Sequence, residues 1–358
     1  VTFRRAAAAL LAAALLGPMA AGAAPKTSFR VAWSIYVGWM PWPYAQESGI
    51  LKKWADKYGV TIDLVEVNDY VESVNQYTAG AFDGVLVTNI DCLSIPSAGG
   101  VDTTAIILGD YSNGNDALIL KAPAGAKPPT LADVAKRRVN LVELSVSQYL
   151  LSRALADAHL QERDVTLVNT SDADIVAAFG TSGVQAVVTW NPQVSEILKD
   201  PAAHDVFDSA KIPGEIIDMA VVRTETLKDN PKLGMALAGA WYEVMALMSA
   251  TGDASRAAHE AMAKESGADL ASFDHQLATT KMFYDPAEAA SFADSPELVR
   301  TMQSVRTFSF DHGLLGQGAK SADVVGITFP SGETLGDSKN VKLRFDDEFM
   351  KLAAAGKL

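Results

Sequence analysis

The chain has 358 residues, of which 49% are hydrophobic, a formal net charge of −13 and a single cysteine, Cys92. That length and apolar share support a large core divided between two domains. The acidic balance excludes a nucleic-acid-binding role, and one cysteine excludes an internal disulfide framework.

The first segment, "VTFRRAAAALLAAALLGPMAAGAAPKTS", places Arg4 and Arg5 ahead of an apolar run from Ala6 to Leu16. Ala21-Gly22-Ala23 then forms an A-x-A cleavage site, so residues 1–23 read as a secretory signal peptide. The mature chain is expected to begin at Ala24 or Pro25. No later run is long and apolar enough to cross a bilayer. Cys92 lies far from the leader, so no cysteine stands ready to carry a lipid. The expected product is a free, exported periplasmic protein.

Strand-like and helix-like segments then alternate. "FRVAWS" (29–34) reads as a strand and "PYAQESGILKKWADKYG" (43–59) as an amphipathic helix. "TIDLVEV" (61–67) alternates like a strand, and Asp69 caps a helix over 70–80 with Glu72 at its third position. "GVLVTN" (84–89) is a buried strand, Asp91 starts a short helix, and "TTAIILGD" (103–110) is the next strand. "NDALILK" (115–121) leads into "APAGAKPPT", a proline-rich break read as a crossover between domains. A second series follows: strands at 138–144, 165–170 and 186–190, with helices at 146–160 and 172–180. "IDMAVVRTETL" (217–227) reads as a return strand, and the chain is mainly helical from Asn230.

This order predicts an α/β fold: a parallel sheet with helices on both faces, interrupted by a second unit. The expected division is 28–120 for the first part of lobe 1, 121–222 for lobe 2, and 223–358 for the return. Two lobes joined by two crossings make a hinged clamp around a central cleft. Ligands of open α/β sheets sit outside the carboxyl ends of strands, so the loops there supply the candidates.

Those loops carry Tyr36, Trp39 and Trp42, then Asn68 and Asp69, then Asn89 and Asp91, then Asp110, Ser112, Asn113 and Asn115. In the second lobe they carry Glu143 and Ser145, then Thr170, Ser171 and Asp172, then Trp190 and Asn191. Lysine and arginine are missing from all of them. An anion pocket ordinarily uses a basic side chain or bare helix N-termini. Indole faces attract cations instead. The set expected to bind ligand is Tyr36, Trp39, Trp42, Asp69, Asn89, Asp91, Asn113, Glu143, Ser145, Trp190 and Asn191. Asp69 and Asp91 also suit helix caps, and Glu143 suits helix electrostatics.

No catalytic constellation appears. The five histidines are scattered, and "HEAMA" (259–263) lacks the second histidine of a zinc protease motif. "GLLGQGAKS" (313–321) has its lysine one place too late for a phosphate loop. Neither cofactor nor metal is expected.

"VGWMPWPYAQESGILKK", "TIDLVEV", "QYTAGAFDGVLVTNID" and "GNDALILK" resemble the nitrate/sulfonate/taurine-type substrate-binding proteins of ABC importers. The likeness rests on Pro41 or Pro43, Ala45, Glu47, Gly49 and Ile50, then on Ala79, Gly80 and Asp83. It implies a monomeric type II periplasmic binding protein that delivers ligand to a permease and its ATPase. Within that family the acidic, tryptophan-rich loops resemble a branch linked to urea and guanidine use. The expected ligand is therefore a small guanidinium-like cation. The alternatives are a sulfonate- or nitrate-type anion, a neutral urea- or pyrimidine-like compound, or an exported enzyme related to thiamine-pyrimidine-precursor synthases.

Overall fold

The structure is a computed structural model that describes residues 25–123 and 125–358; the expected signal peptide lies outside them. Fourteen strands occur among the described residues, in two sheets. The first nine in chain order are β1 (Ser28–Trp33), β2 (Thr61–Glu66), β3 (Gly84–Thr88), β4 (Thr103–Ser112), β5 (Ala117–Lys121), β6 (Arg138–Leu141), β7 (Thr166–Asn169), β8 (Ala186–Thr189) and β9 (Ala203–Asp208). The others are β10 (Ile217–Arg223), β11 (Thr280–Met282), β12 (Gly326–Thr328), β13 (Thr334–Leu335) and β14 (Val341–Phe345).

The larger sheet runs β13-β12-β14-β4-β10-β3-β1-β2, with β11 also on β4; the smaller runs β7-β6-β8-β5-β9. Neither is purely parallel, contrary to the sequence expectation. β10 lies antiparallel to both β3 and β4, and β5 lies antiparallel to both β8 and β9. The physical reason is the crossing itself. A strand that enters a lobe from the cleft must begin at the edge where its neighbours end.

The same pairing moves the lobe boundaries. β5 belongs to the second sheet and β10 to the first. The crossings are therefore the short segments 113–116 and 209–216, earlier than the expected breaks after 120 and 222. Residues 125–130 of the proline-rich run form a loop within lobe 2 that leads into the turn Leu131–Val134. The first five α-helices are α1 (Pro41–Glu47), α2 (Ile50–Tyr58), α3 (Tyr70–Thr78), α4 (Asn89–Cys92) and α5 (Val146–Asp157), and the N-terminal ends of α3, α4 and α5 meet the cavity. The single helix expected at 43–59 is broken into α1 and α2 at Gly49, whose φ of +80° favours glycine.

The core is continuous through lobe 1. The long helix Lys232–Ser249 contributes Trp241, which packs over Gly109 of β4. Trp42, in the first turn of α1, stacks on Trp241 with ring centroids 5.0 Å apart. Trp42 is therefore a core residue, not a cleft residue: Pro41 starts a new helix whose buried face turns toward Lys232–Ser249. Trp42→Ala is expected to destabilise the fold by about 3–5 kcal/mol. Urea unfolding measures this, and a loss below about 1 kcal/mol would contradict the packing role.

Candidate functional site

At the hinge, where both sheets present their cleft edges, nine residues line a cavity of about 270 Å³, its mouth included. Its wall is a chain of aromatic rings. Tyr36 meets Trp39 edge to face at 5.2 Å between centroids, Trp39 meets Tyr70 at 5.7 Å, and Tyr70 meets Trp190 at 5.6 Å. Thr88, Val146 and Ile216 fill the gaps. The polar lining is acidic: Asp116 stands just ahead of β5, and Asp218 lies at the start of β10. None of the nine residues is a lysine or an arginine.

Two further buried carboxylates stand behind the wall. Tyr36 Oη donates to Asp110 Oδ1 at 2.8 Å, and Tyr70 Oη donates to Asp91 Oδ2 at 2.8 Å. Thr88 Oγ1 also donates to Asp91, at 2.9 Å. Ser112 Oγ holds Asp116 Oδ2 at 2.5 Å. Asp110 and Asp218 are register partners on adjacent strands. Gly38 is needed beside them, because a Cβ there would stand 2.5 Å from Asp110 Oδ2. Asp91 Oδ1 and Asp110 Oδ2 accept no hydrogen bond from the described residues. Trp39 Nε1 is an unpaired donor of the wall, and unpaired hydroxyls stand beside it in the chain of lining residues: Ser147 Oγ next to Val146 and Thr189 Oγ1 next to Trp190.

Burial pushes Asp91 up to about 6 and Asp116 up to about 7, from an ordinary 3.8. It raises Asp110 as well, and it raises Asp218 further, because the charges of Asp110 and Asp116 oppose its ionisation. Empty of positive charge, the cluster holds protons near neutrality. A cation between the carboxylates would relieve that.

The helix N-termini on the cleft are already taken. The backbone N–H of Val146, first residue of α5 in lobe 2, donates to Asp91 Oδ2 of lobe 1 at 3.3 Å. The backbone N–H of Tyr70, first residue of α3 in lobe 1, donates to Asp172 Oδ1 of lobe 2 at 3.2 Å. Positions where an anion would dock thus carry the chain's own carboxylates.

Of the expected site residues, Tyr36, Trp39 and Trp190 line the cavity. Asp91 acts one layer back, and it does not start its helix: Thr88 caps α4 by accepting from Asp91 N. Asn89 lies behind the wall, donating to Glu215 O and accepting from Ile217 N. Ser145 caps α5 beside the lining Val146. Asn191 braces the lobes, its Nδ2 on Thr279 Oγ1 and its Oδ1 on Ser195.

Four expected residues lie off the cavity. Trp42 is in the core. Asp69 is the N-cap of α3, accepting from Glu72 N at 2.9 Å. Asn113 is exposed at the first crossing, and Glu143 lies in the loop before α5. The sequence reading missed Tyr70, Thr88, Asp116, Val146, Ile216 and Asp218. Asp116 and Asp218 enter at the amino ends of antiparallel strands, where the rule for ligands at carboxyl ends does not point. The usable signal was an aspartate at the head of each crossing strand, in "NDALILK" and "IDMAVVR".

A two-lobed α/β clamp with a buried cavity at its hinge defines the periplasmic binding protein fold. The chain belongs to the NMT1-like family, whose model matches residues 22–264. No curated protein matches the chain. Among solved structures it is similar to the alkanesulfonate-binding protein SsuA from Xanthomonas axonopodis pv. citri bound to MOPS. Identity there is 18% and the TM-score 0.67, covering 82% of this chain and 96% of that one. The aliphatic sulphonate binding protein SsuA from Escherichia coli gives 19% identity and a TM-score of 0.65, over 84% and 96% of the two chains. The nitrate-binding protein NrtA from Synechocystis gives 12% and 0.59, over 94% and 100%. At these identities the likeness shows the fold.

The raised carboxyl groups set a pH dependence. Folded Asp91, Asp110, Asp116 and Asp218 retain protons that the unfolded chain releases near pH 4. The stability they contribute is complete below that value and is lost as pH rises through about 6–7. His312, raised by Glu162, has the same sign. Without ligand, the melting temperature is expected to be lower at about pH 8 than at about pH 5.5. Asp218→Asn should flatten the difference. A melting temperature that climbs across this window would contradict the assignment.

Proposed function

We propose that this protein is the periplasmic substrate-binding component of an ABC importer, and that it captures a small nitrogen-rich cation of the guanidinium type. The family and fold support the transport role. The observation that carries the ligand class is the pairing of Asp116 and Asp218 inside a ring of four aromatic side chains with no basic residue. A flat cation with donors on its edge meets both demands. Its N–H groups pair with the carboxylates, and its face stacks on indole, at roughly 0.5–2 kcal/mol per contact. The ligand is handed to a membrane permease driven by a cytoplasmic ATPase, and the binding protein acts as a monomer.

The sulfonate and nitrate named for the similar structures suit this cavity poorly. An anion here would face four buried carboxylates and find the N-termini of α3 and α5 occupied. The enzyme reading has little support in the site. None of the five histidines is among the residues lining the cavity. Cys92 is free and buried, and burial raises its thiol far above the ordinary range. Among the described residues, no group of three or more His, Cys, Asp or Glu is placed to hold a metal ion.

A thermal-shift screen of guanidinium, methylammonium, urea, taurine and nitrate tests the reading. Ligand at a hundredfold excess over Kd stabilises the folded state by about 2.7 kcal/mol. Guanidinium is expected to raise the melting temperature. Asp116→Asn and Asp218→Asn should each weaken its binding by about 1.5–3 kcal/mol, and Trp39→Ala by roughly 0.5–2 kcal/mol. Stabilisation by taurine or nitrate with no response to any cation would overturn the proposal.

A further inference from the structure

The cavity is lined by buried side chains as well as charged. Every residue lining it is at most 5% exposed. A second, wider groove between the lobes, about 1310 Å³ with the open solvent above it included, is bordered by Ile35, Asp172 and Pro192. Three hydrogen bonds across the lobes join the wall of one space to the wall of the other. Trp190 Nε1 donates to Ile35 O at 3.4 Å, and Tyr70 N donates to Asp172 Oδ1 at 3.2 Å. A third joins Val37 N, which donates, to Asn191 O at 3.3 Å. In each case one partner belongs to the cavity wall or adjoins it in the chain, and the other belongs to the groove wall or adjoins it.

We propose that this row of bonds is a size gate, with Trp190 and Asp172 as its specificity-determining side chains. A compact cation fits wholly behind the gate and lets it close. A cation carrying an alkyl arm has to thread the arm through the row into the wider groove, which breaks the bonds that hold the lobes together. The loss falls on closure, because a clamp shuts only as far as ligand contacts in the shut state favour it. The inference rests on the cation reading above and adds a limit: the site takes the unsubstituted cation and rejects its alkylated relatives. The wider groove is where a displaced arm would emerge. It holds Asp172, Glu196 and Asp269 against a single lysine, Lys199, so charge does not repel a second amine there. Discrimination against a diamine-like arm therefore comes from the gate.

Calorimetric titration with guanidinium, methylguanidinium, agmatine and L-arginine tests this. Wild-type protein is expected to bind guanidinium more tightly than agmatine by about tenfold or more. Trp190→Phe keeps a benzene face but loses the five-membered ring together with the N–H that reaches Ile35; Asp172→Ala removes the acceptor for Tyr70. Both should narrow the ratio of guanidinium to agmatine affinity by about tenfold. Melting curves establish that each variant is folded, and Trp190→Phe serves alone if Asp172→Ala is not. Agmatine binding as tightly as guanidinium in the wild type would overturn the gate and leave the cation reading standing. An unchanged ratio in a folded variant would also overturn it. A protein that binds none of the four cations would overturn both.

Discussion

The closed cleft depends on a reciprocal exchange of negative charge between the lobes. Asp91 of lobe 1 accepts from the first amide of α5 in lobe 2, and Asp172 of lobe 2 accepts from the first amide of α3 in lobe 1. Each helix N-terminus carries about half a positive charge, and each is neutralised by the partner lobe. Closure therefore consumes the positive poles that the fold would otherwise offer to a ligand. What remains facing the cavity is acidic and aromatic.

Strand direction brings the remaining charge to the hinge. The chain crosses between lobes twice, and each crossing ends in a strand that begins at the cleft. Asp116 and Asp218 head those two strands. Asp116 closes the first crossing and Asp218 stands two residues past the second, so both carboxylates that line the cavity adjoin the segments that join the lobes. A charge placed between them acts on the hinge without an intermediary. Asp110 stands directly behind, held by Tyr36 of the wall, and Gly38 is small enough to let them meet. The cost of burying four acids is reduced by protons in the empty site and by hydroxyl donors from Tyr36, Tyr70, Thr88 and Ser112.

Much of this was legible in the sequence. The first β-α units were, because "FRVAW", "TIDLVE" and "GVLVT" carry clear strand patterns and Asp69 with Glu72 marks a helix start. The absence of basic residues from the strand-end loops was legible as well. Strand direction was not. Periodicity locates a strand but is the same read either way, so β5 and β10 looked parallel and their leading aspartates went unnoticed. Trp39 and Trp42 could not be separated by spacing. The helix changes type at Met40, sending Trp39 against Tyr36 and Tyr70 and Trp42 against Trp241. Tyr70 was hidden by its place as the first residue of α3, where a tyrosine reads as ordinary helix.

The sign of charge that the cleft accepts is the central claim, and the protons exchanged on binding report it directly. Free Asp91 and Asp116 titrate near 6 and 7, so the empty site is partly protonated at neutral pH. A cation lowers those values and expels protons; an anion raises them and draws protons in. Titration calorimetry of guanidinium binding at about pH 7, in two buffers of different ionisation enthalpy, gives the number and direction. The account predicts net proton release. Net uptake, or binding with no proton exchange, would contradict it.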